Sequence, residues 1–511
     1  MRFLYNLAAI LIVTIIIPIF MLRATRERGF VERIKQSFGF YPQDTIDKVA
    51  GKNAIWVHAA SVGEIVATSP LVREFRKAFP DTPILVSVVT TGGYEMAHRI
   101  IKDADAIIYF PLDLPFLASR VVERIRPRVF LPVETELWPN FLKKAKQLDV
   151  PVMMVNGRIS DRSVKQYKYL LGMLREMIGT VKCFAMQSSI DADYIMRLGA
   201  PRELVTVTGN TKFDQAYTSV SMEERAALIE ELGLAGASHI MIAGSTHRGE
   251  EELVLAAFAA VREREPGVRL IIAPREVLRT MEVEHLCRKA GFTVNTRKNL
   301  QKGAAGGEDI VILDTVGELG RVYGLGDVIY IGGSLIPHGG HNILEPAAHG
   351  KAIIVGNQMF NFKDIHALFR NRNAVVTVAN GAELTRETLR LFGDAYERER
   401  LERETLAIIN ENKGASAKSA QILVDLLTAY EARRALRAQE RISAHRVRAT
   451  QKVANFQTYF IDLVHDKDVR GVSRRLIMGI FYAFSLIYEQ LVNLKLTMYR
   501  LGWAKKEQLP C

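Results

Sequence analysis

The sequence predicts an α/β protein with two doubly wound domains that face each other across a cleft. Two series of short apolar runs alternate with longer amphipathic stretches, the first from Ala54 to Met186 and the second from about Ser238 to Val378. This alternation is typical of parallel strands covered by helices on both faces of a sheet. Ligands of such sheets bind at the carboxyl ends of the strands, so we expect the functional site in the cleft.

Each series contains six apolar runs that we interpret as buried strands. In the first series they are residues 55–58, 84–88, 106–110, 129–131, 152–155 and 183–186. In the second series they are residues 239–243, 270–272, 310–313, 328–331, 352–355 and 374–378. The chain therefore divides into an N-terminal apolar segment, 1–22, a first domain, 23–215, a second domain, 216–427, and a helical tail, 428–511.

The N-terminal segment is predicted to be a single transmembrane helix. Phe3 to Leu22 carries no charge and has the roughly 20 residues that a membrane span requires. A basic cluster from Arg23 to Lys35 follows it, against Arg2 alone before it, which would leave the rest of the chain in the cytoplasm. A signal peptide is the alternative, but no convincing small-x-small cleavage site precedes the arginines.

The charge and cysteine content restrict the classes of partner and compartment but do not select a single partner. The 511 residues carry a formal net charge of +12, which suits nucleic acid, an anionic membrane surface or a phosphorylated substrate. The three cysteines form no CxxC pair and no disulfide framework, which fits a reducing compartment and argues against zinc.

A glycine-rich loop follows one strand of the second series. The sequence GGSLIPHGGHNILEPAAHG runs from Gly332 to Gly350, after the apolar run 328–331, and a helix is predicted from Leu344. Such a unit lets backbone N–H groups approach a phosphate closely. Glu345, in the first turn of that helix, could accept hydrogen bonds from a ribose. A turn that only packs a helix on a sheet is the alternative, but the flanking signals favour a nucleotide-linked donor.

The tail is predicted to be basic and then apolar. Residues 428–475 are rich in arginine and indicate a solvated helix, whereas 476–501 are strongly apolar. One helical face of the second part carries Ile477, Ile480, Phe481, Phe484, Ile487, Leu491 and Leu494. A core helix and an interfacial membrane helix both fit this pattern.

Six motifs in a fixed order carry a family resemblance. They are HAASVGE at 58–64, ETELWPN at 134–140, NGRIS at 156–160, TGN with KFD at 208–214, AGSTH at 243–247, and the glycine loop. Together they resemble the Kdo (3-deoxy-D-manno-octulosonic acid) transferases of lipopolysaccharide synthesis, over roughly residues 1–425. The resemblance implies a membrane-associated glycosyltransferase of the GT-B fold, with two Rossmann-like domains. Residues 23–215 would bind the acceptor and 216–427 the donor.

The implied reaction is the inverting transfer of Kdo from CMP-Kdo to a lipid A precursor of the lipid IVA type. We therefore expect CMP-Kdo, a lipid A precursor and inner-membrane lipids as partners, no nucleic acid and no cofactor. The expected location is the bacterial inner membrane, with the catalytic domains facing the cytoplasm. A GT-B transferase for another nucleotide sugar and a non-catalytic membrane scaffold are the alternatives.

An inverting transfer needs a base for the acceptor hydroxyl, and Glu64 suits this role. It lies at a strand-to-helix turn, where a carboxylate can reach the cleft, although it could instead cap the helix. His58 is a rival base but lies at the end of a buried strand. Glu134 could orient the acceptor or assist Glu64, and Glu136 is a weaker candidate; either could cap the helix that begins near Pro139.

The remaining acceptor candidates are Ser61, Gly63 and Arg158. Ser61 and Gly63 lie three residues and one residue before Glu64 in the first motif and are expected to bind the acceptor. Arg158 follows a strand and could pair with an acceptor phosphate or with the donor carboxylate. A structural salt bridge is the alternative for that arginine.

The donor candidates all follow strands of the second series. Arg275 could hold the CMP phosphate and stabilise the leaving group, although Glu276 departs from the histidine that often follows this arginine in the family. His338 and His341 could form a metal pair, but we favour loop packing or donor contacts and predict no metal site. The other candidates are Ser245, Thr246, Gly317, Glu318, Gly333, Ser334, Gly340, Asn342 and Glu345.

The tail carries a second, weaker resemblance. Tyr482 to Pro510 looks like the N-terminal membrane helix of the lipid A 4′-kinases, which continue into a P-loop. The sequence contains no GxxxxGK[ST] motif, so we predict no kinase activity.

Overall fold

The apolar runs of the sequence form the strands of two parallel sheets. The computed structural model describes residues 2–24, 29–159, 171–215, 220–464 and 472–501. The strands of the first sheet are β1 (Ile55–His58), β2 (Ile84–Val88), β3 (Ala106–Tyr109), β4 (Val129–Pro132), β5 (Val152–Gly157), β6 (Val181–Met186) and β7 (Val205–Val207). Those of the second are β8 (Ile240–Thr246), β9 (Arg269–Pro274), β10 (Val294–Thr296), β11 (Ile310–Ile312), β12 (Val328–Ile331), β13 (Ala352–Gly356) and β14 (Val376–Val378).

Both seven-stranded sheets are doubly wound. The strand order is β3-β2-β1-β4-β5-β6-β7 in the first and β10-β11-β9-β8-β12-β13-β14 in the second. The first strand of each series therefore lies inside its sheet, with β1 between β2 and β4 and β8 between β9 and β12. The order reverses beside these two strands, which is the position where α/β sheets bind ligands.

Helices cover both faces of each sheet. In the first domain region they are α1 (Arg2–Ala24), α2 (Phe30–Ser37), α3 (Gln43–Ile46), α4 (Val62–Ala78), α5 (Thr91–Ile100), α6 (Pro115–Ile125), α7 (Pro139–Gln147), α8 (Leu171–Ile178) and α9 (Ser189–Arg197). After these come α10 (Met222–Glu231), α11 (Glu251–Arg264), α12 (Thr280–Lys289), α13 (Arg297–Gln301), α14 (Leu319–Val322), α15 (Leu344–Ala348), α16 (Lys363–Asn371), α17 (Gly381–Gly393), α18 (Ala395–Asn412), α19 (Ala415–Val464) and α20 (Val472–Arg500).

The strands are buried because apolar side chains from both faces of each sheet pack under these helices. Trp56 on β1 is fully buried and makes edge contacts with Phe110, Phe130 and Phe141. Such aromatic contacts add to the stabilisation that burial provides. In the second sheet, Tyr330 on β12 and Phe258 on α11 belong to one buried cluster. The rigid centres of the two sheets thus hold the loops at their carboxyl ends in place.

The predicted N-terminal anchor is wrong. Residues 2–24 are helical, as predicted, but no helix in the described part of the chain combines the length and apolar character needed to span a membrane. The start of α1 instead makes polar contacts with the first domain. Tyr5 donates a hydrogen bond to Asp113 (3.0 Å), and Asn140 donates one to Asn6 (2.9 Å). The single-pass location that we derived from this segment is therefore contradicted.

The C-terminal tail, Thr428–Cys511, forms a unit separate from Met1–Leu427. Its described residues are the later part of α19, α20 and Leu501. Six of the seven residues predicted on the apolar face have exposed side chains: Ile480, Phe481, Phe484, Ile487, Leu491 and Leu494. The side chain of Ile477 and residues 502–511, which carry the end of the kinase-like segment, lie outside the described set. The interfacial role of the tail stays a prediction.

Candidate active site

A cleft of about 650 Å³ lies between the carboxyl ends of the two sheets. On one wall it is lined by Gly63 and other residues of α4 and α5, together with Lys212. On the other wall it is lined by Ser245, Arg275, Tyr323, Asn342 and Glu345. The fold thus brings together residues that lie more than 200 positions apart in the sequence, at the place where doubly wound sheets bind ligands.

Glu64 lies in the first turn of α4, directly after the cleft-lining Gly63. Its carboxylate accepts hydrogen bonds from the backbone N–H of Ala60 (2.7 Å) and from the hydroxyl of Ser61 (2.8 Å). Ser61 in turn caps the helix by accepting from the Glu64 N–H. The capping geometry considered for Glu64 is therefore present, and Ser61 acts on the carboxylate that it precedes.

The pKa of Glu64 is nevertheless raised to about 7 from its ordinary value of 4.5. Burial is the largest cause, and the negative charges of Glu136 and Glu134 add to it, whereas the hydrogen bonds from Ala60 and Ser61 oppose it. A carboxylate of this basicity can accept a proton at neutral pH. Capping and proton transfer are therefore compatible roles for this side chain.

Glu134 lies beside Glu64 at the end of the neighbouring strand β4. Its backbone is in the left-handed region (φ 56°), a conformation that a residue other than glycine adopts at a cost. Burial raises the pKa of its carboxyl, although the charges of Lys212 and Arg158 oppose this. The Lys212 Nζ lies 3.9 Å from Glu134 Oε1, so this lysine links the carboxylate to the cleft that it also lines.

His58 and Glu136 form a separate polar cluster under the first sheet. The His58 side chain is fully buried, stacks on Phe110 and contacts Ser87 through Nδ1 (3.0 Å to Oγ). Its Nε2 lies 3.4 Å from Glu136 Oε2, and the Trp138 indole N–H donates to that carboxylate. A buried, fully packed imidazole is in no position to reach an acceptor, which leaves Glu64 as the candidate base.

Arg158 makes an ion pair rather than facing an empty site. Its Nη2 lies 2.6 Å from Asp364 Oδ2 on α16, which joins the first sheet to the second domain. Both side chains are substantially exposed, at 40% and 67%. The structure therefore contains the salt bridge that was considered as the alternative role of Arg158.

The AGSTH motif forms the end of β8. The register of β8 shifts between Gly244 and Thr246, and Ser245 there has a left-handed backbone (φ 56°). Such a bulge re-aims a side chain. Ser245 and the buried Tyr323 both line the cleft, while the buried Thr246 hydroxyl makes no hydrogen bond with the described residues. An unsatisfied buried hydroxyl suits a site that a ligand completes.

Arg275, Asn342 and Glu345 line the same wall of the cleft as Ser245. Asn342 donates to Glu345 Oε1 (3.1 Å), and burial raises the pKa of Glu345 against the effects of that bond and of the Arg275 charge. The Arg275 guanidinium is exposed and makes no ion pair with the described residues. A fixed positive charge that forms no ion pair with the described residues is suited to an anionic ligand.

The backbone amides of the glycine loop bind a protein side chain, whereas the sequence predicted that they bind a phosphate. Buried Glu250, just before α11, accepts hydrogen bonds from the N–H groups of Gly333 (2.7 Å), Ser334 (3.1 Å) and Leu335 (3.1 Å). The Tyr330 hydroxyl donates to the same carboxylate (2.7 Å). The amides that we assigned to a phosphate are therefore already occupied by a side chain, so Gly333 and Ser334 support the loop.

Ser334 and Gly340 are also tied to the protein itself. The Ser334 hydroxyl is fully buried between the Ile331 carbonyl and the Gly356 N–H. Gly340 has a positive φ (72°), and a Cβ there would lie 2.1 Å from the Met359 sulfur. The positive φ favours glycine at this position, and the close approach of Met359 adds to that preference, so the residue has a structural reason.

Glu318 is engaged away from the cleft. It accepts hydrogen bonds from Thr315 and from Arg297 (3.3 and 3.4 Å). Burial opposes ionisation, but these bonds and the Arg297 charge hold the pKa of Glu318 below its ordinary value. Neither Glu318 nor Gly317 lines the cleft, so the donor contacts predicted for them have no support in this geometry.

The two loop histidines lie beside a third that was not singled out. His247, after β8, has its Nε2 2.8 Å from Nε2 of His341 and its ring 3.9 Å from that of His338. Burial, Arg275 and the neighbouring histidines lower the pKa of His341 to about 4, so it is neutral at pH 7. Among the described residues, no group of three His, Cys, Asp or Glu side chains is arranged to hold a metal ion.

Lys212, Tyr323 and Glu250 are among the residues of this region that sequence reasoning missed. Lys212 was quoted within a motif, but only the fold brings it beside Glu134. Tyr323 belongs to a short 3₁₀ turn, and Glu250 precedes a helix by one residue, as many surface glutamates do. No local signal distinguished these two.

Comparisons with known proteins identify the family of the chain. Residues 32–215 match a family model described as 3-deoxy-D-manno-octulosonic-acid transferase. A 3-deoxy-D-manno-octulosonic acid transferase of Haemophilus influenzae is 32% identical over 430 residues, covering 84% of this chain and 98% of the relative. One from Bordetella pertussis is 29% identical over 73% of this chain and 87% of the relative.

A solved structure supports the fold alone. A crystal structure of UDP-N-acetylglucosamine 2-epimerase aligns with a TM-score of 0.51 at 12% identity, covering 74% of this chain and 96% of that chain. The likeness is to the paired parallel sheets of GT-B-like proteins. The near-complete match to the Haemophilus protein carries the family assignment: the chain belongs to the 3-deoxy-D-manno-octulosonic acid (Kdo) transferase family and is a glycosyltransferase.

Proposed function

We propose that the chain is an inverting transferase that moves Kdo from CMP-Kdo to a lipid A precursor of the lipid IVA type. The family membership supports the sugar. One observation carries the chemistry: a carboxylate with a pKa of about 7, Glu64, directly follows Gly63, which lines a cleft whose opposite wall presents Arg275. A base on one side and a cation on the other are what acceptor activation and phosphate departure require.

Glu64 is proposed to act on the acceptor. Its carboxylate takes the proton of the acceptor hydroxyl as that oxygen attacks the anomeric carbon of Kdo. The bond from that carbon to the CMP phosphate oxygen breaks, and its electron pair leaves with CMP. Attack on the face opposite the leaving group inverts the configuration. Glu134 and Lys212 keep the local charge balanced and are proposed to position the acceptor.

The second domain is proposed to hold the donor. Arg275 neutralises the charge that develops on the leaving phosphate, Ser245 and Thr246 offer hydroxyl groups at the end of β8, and Asn342 orients Glu345 toward the ribose. Arg158 is proposed to contact a substrate only after its ion pair with Asp364 opens. Gly317, Glu318, Gly333, Ser334 and Gly340 have no direct donor contact in this proposal.

Donor choice tests the proposal. The full chain is incubated in detergent with a tetraacylated lipid A precursor and labelled CMP-Kdo, and in parallel with UDP-linked sugars. We expect transfer from CMP-Kdo and none from the UDP-linked donors. Transfer only from a UDP-linked sugar would replace the donor assignment by the alternative GT-B reaction. A folded chain that uses none of these donors would refute the proposal.

A pair of matched variants tests the base. Glu64→Gln keeps the size of the side chain and removes its basicity, so the rate is expected to fall by about 10²–10⁴-fold. Glu95→Gln makes the same chemical change at an exposed position of α5 that does not line the cleft. It is expected to retain the wild-type rate. Equal rates for Glu64→Gln and wild type would remove Glu64 from the mechanism.

A further inference from the structure

Two arginines line the acceptor wall of the cleft without a carboxylate partner. Arg73 projects from α4 and Arg99 from α5, and both line the 650 Å³ cleft. Within the described residues neither forms an ion pair, and the one hydrogen bond recorded for Arg99 goes to the sulfur of Met96 (3.2 Å). Neither was among the residues selected from the sequence.

Arg76, which lies on α4 with Arg73, is an arginine with a structural role. Arg76 lies 2.5 Å from an Asp105 oxygen and also donates to the carbonyls of Pro80, Thr82 and Asp103. Those contacts tie the end of α4 to the neighbouring loops. Arg73, three residues earlier, has no comparable contacts with the described residues, and these contacts therefore do not account for its charge.

The surroundings of the two arginines suit a ligand with apolar and anionic parts. Val62, Val66 and Ile100 line the same wall. The cleft also adjoins a smaller pocket of about 220 Å³, and both cavities are lined by Pro70, Arg73 and Gln215. A ligand that fills the cleft and extends into the smaller pocket would therefore pass Arg73.

Arg73 and Glu64 lie far apart along α4. Arg73 follows Glu64 by nine residues, which corresponds to a rise of roughly 13 Å along an α-helix. A disaccharide headgroup can bridge that distance, with its reacting hydroxyl near Glu64 and an anionic group near Arg73. Arginine is the residue best suited to a phosphate, because its planar guanidinium offers paired donors and a permanent charge.

We propose that Arg73 and Arg99 form an anion-binding subsite that holds a phosphate of the glycolipid acceptor. This inference rests on the proposed function, since it assigns the acceptor to the α4–α5 wall. It gives the acceptor wall its own cations, distinct from Arg275 on the donor wall. The subsite selects for phosphorylated acceptors and contributes little to donor binding.

Steady-state kinetics on the full chain test the subsite. Arg73→Gln, Arg99→Gln and the double variant are compared with wild type on a bisphosphorylated, tetraacylated glucosamine disaccharide and on the same lipid without phosphates. Each single variant is expected to raise KM for the phosphorylated acceptor by about tenfold, with KM for CMP-Kdo within about twofold of wild type. On the phosphate-free acceptor the variants and wild type should be alike.

Arg120→Gln is the matched control, because Arg120 is exposed on α6 and does not line the cleft. An unchanged acceptor KM would overturn the subsite, and so would an equal loss on the phosphate-free acceptor, which indicates a structural role. A rise confined to the KM of CMP-Kdo would assign the arginines to the donor instead.

Failure of the proposed function has a different signature. If wild type transfers no Kdo at all, binding of the bisphosphorylated disaccharide alone is measured by calorimetry. Binding that is weakened by Arg73→Gln and not by Arg120→Gln supports the subsite even then. Equal binding by wild type and both variants refutes it.

Discussion

Lowering the pH is expected to switch off the reaction through Glu64. Its pKa of about 7 means that the carboxylate is largely ionised at pH 8 and largely protonated at pH 5.5. A protonated carboxyl cannot accept the acceptor's proton, so the rate should fall by about thirtyfold over this interval. With the ordinary pKa of 4.5, the same change in pH would alter the rate by only about a tenth.

The same shift predicts a pH-dependent stability. Between the ordinary pKa of 4.5 and about 7, the unfolded chain has released this proton while the folded chain still holds it. The free energy of unfolding therefore falls as the pH rises through this window, by about 3 kcal/mol in total. The causes are the burial of Glu64 and its proximity to Glu136 and Glu134. Replacing Glu64 by Gln removes this contribution.

The assay combines a pH–rate profile with denaturant unfolding. Initial rates at saturating substrate are measured from pH 5.5 to 8.5 at constant ionic strength, and wild type and Glu64→Gln are unfolded in urea at each pH. We expect an acidic limb with an apparent pKa near 7, and a stability difference between the two proteins that changes by about 3 kcal/mol. A rate that stays constant down to pH 5.5, with no change in the stability difference, would refute the reasoning.

Three further changes test other parts of the structure. Gly244→Ala places a Cβ 2.0 Å from the Tyr323 hydroxyl, so we expect about 1–3 kcal/mol of destabilisation in urea unfolding; wild-type stability would contradict this contact. Glu250→Ala removes the acceptor shared by the glycine-loop amides and should cost about 3 kcal/mol and speed amide exchange in that loop; unchanged exchange would contradict it. The exposed Arg158–Asp364 pair should contribute less than about 1 kcal/mol in a double-mutant cycle, and a larger coupling would mean that it holds the domains together.

The sheets were predictable because their strands are buried on both faces. Continuous apolar runs gave twelve of the strands, several with their observed ends, such as Ile55–His58 and Val328–Ile331. The two that were missed, Val205–Val207 and Val294–Thr296, are short, lie at the edges of their sheets and have polar central residues. A run of three residues with a polar centre is too short to show the apolar pattern of a buried strand.

The N-terminal helix shows that the apolar composition of a segment predicts its secondary structure but not its tertiary contacts. The apolar run predicted a helix, and residues 2–24 are helical. The same run could not reveal that Tyr5 and Asn6 find hydrogen-bond partners at Asp113 and Asn140, more than 100 residues away. Hydropathy reports how apolar a segment is, whereas its partners depend on the fold.

The site was predictable where residues directly follow strands and less so where the fold supplies the partner. Arg275, Ser245 and Glu345 line the cleft, at the sheet edge where the strand pattern put them. The glycine loop predicted a phosphate cradle, but its amides are bound by Glu250, which no local pattern singles out. Lys212 likewise gains its place beside Glu134 only through folding.

The central claim is that this cleft transfers Kdo from CMP-Kdo to a lipid A precursor. The most direct measurement is the mass of a tetraacylated precursor after incubation with CMP-Kdo and the full chain at pH 8. We predict a mass increase by one or more Kdo units, dependent on the enzyme and nearly abolished by Glu64→Gln. An unchanged precursor mass with a folded wild-type protein would contradict the account.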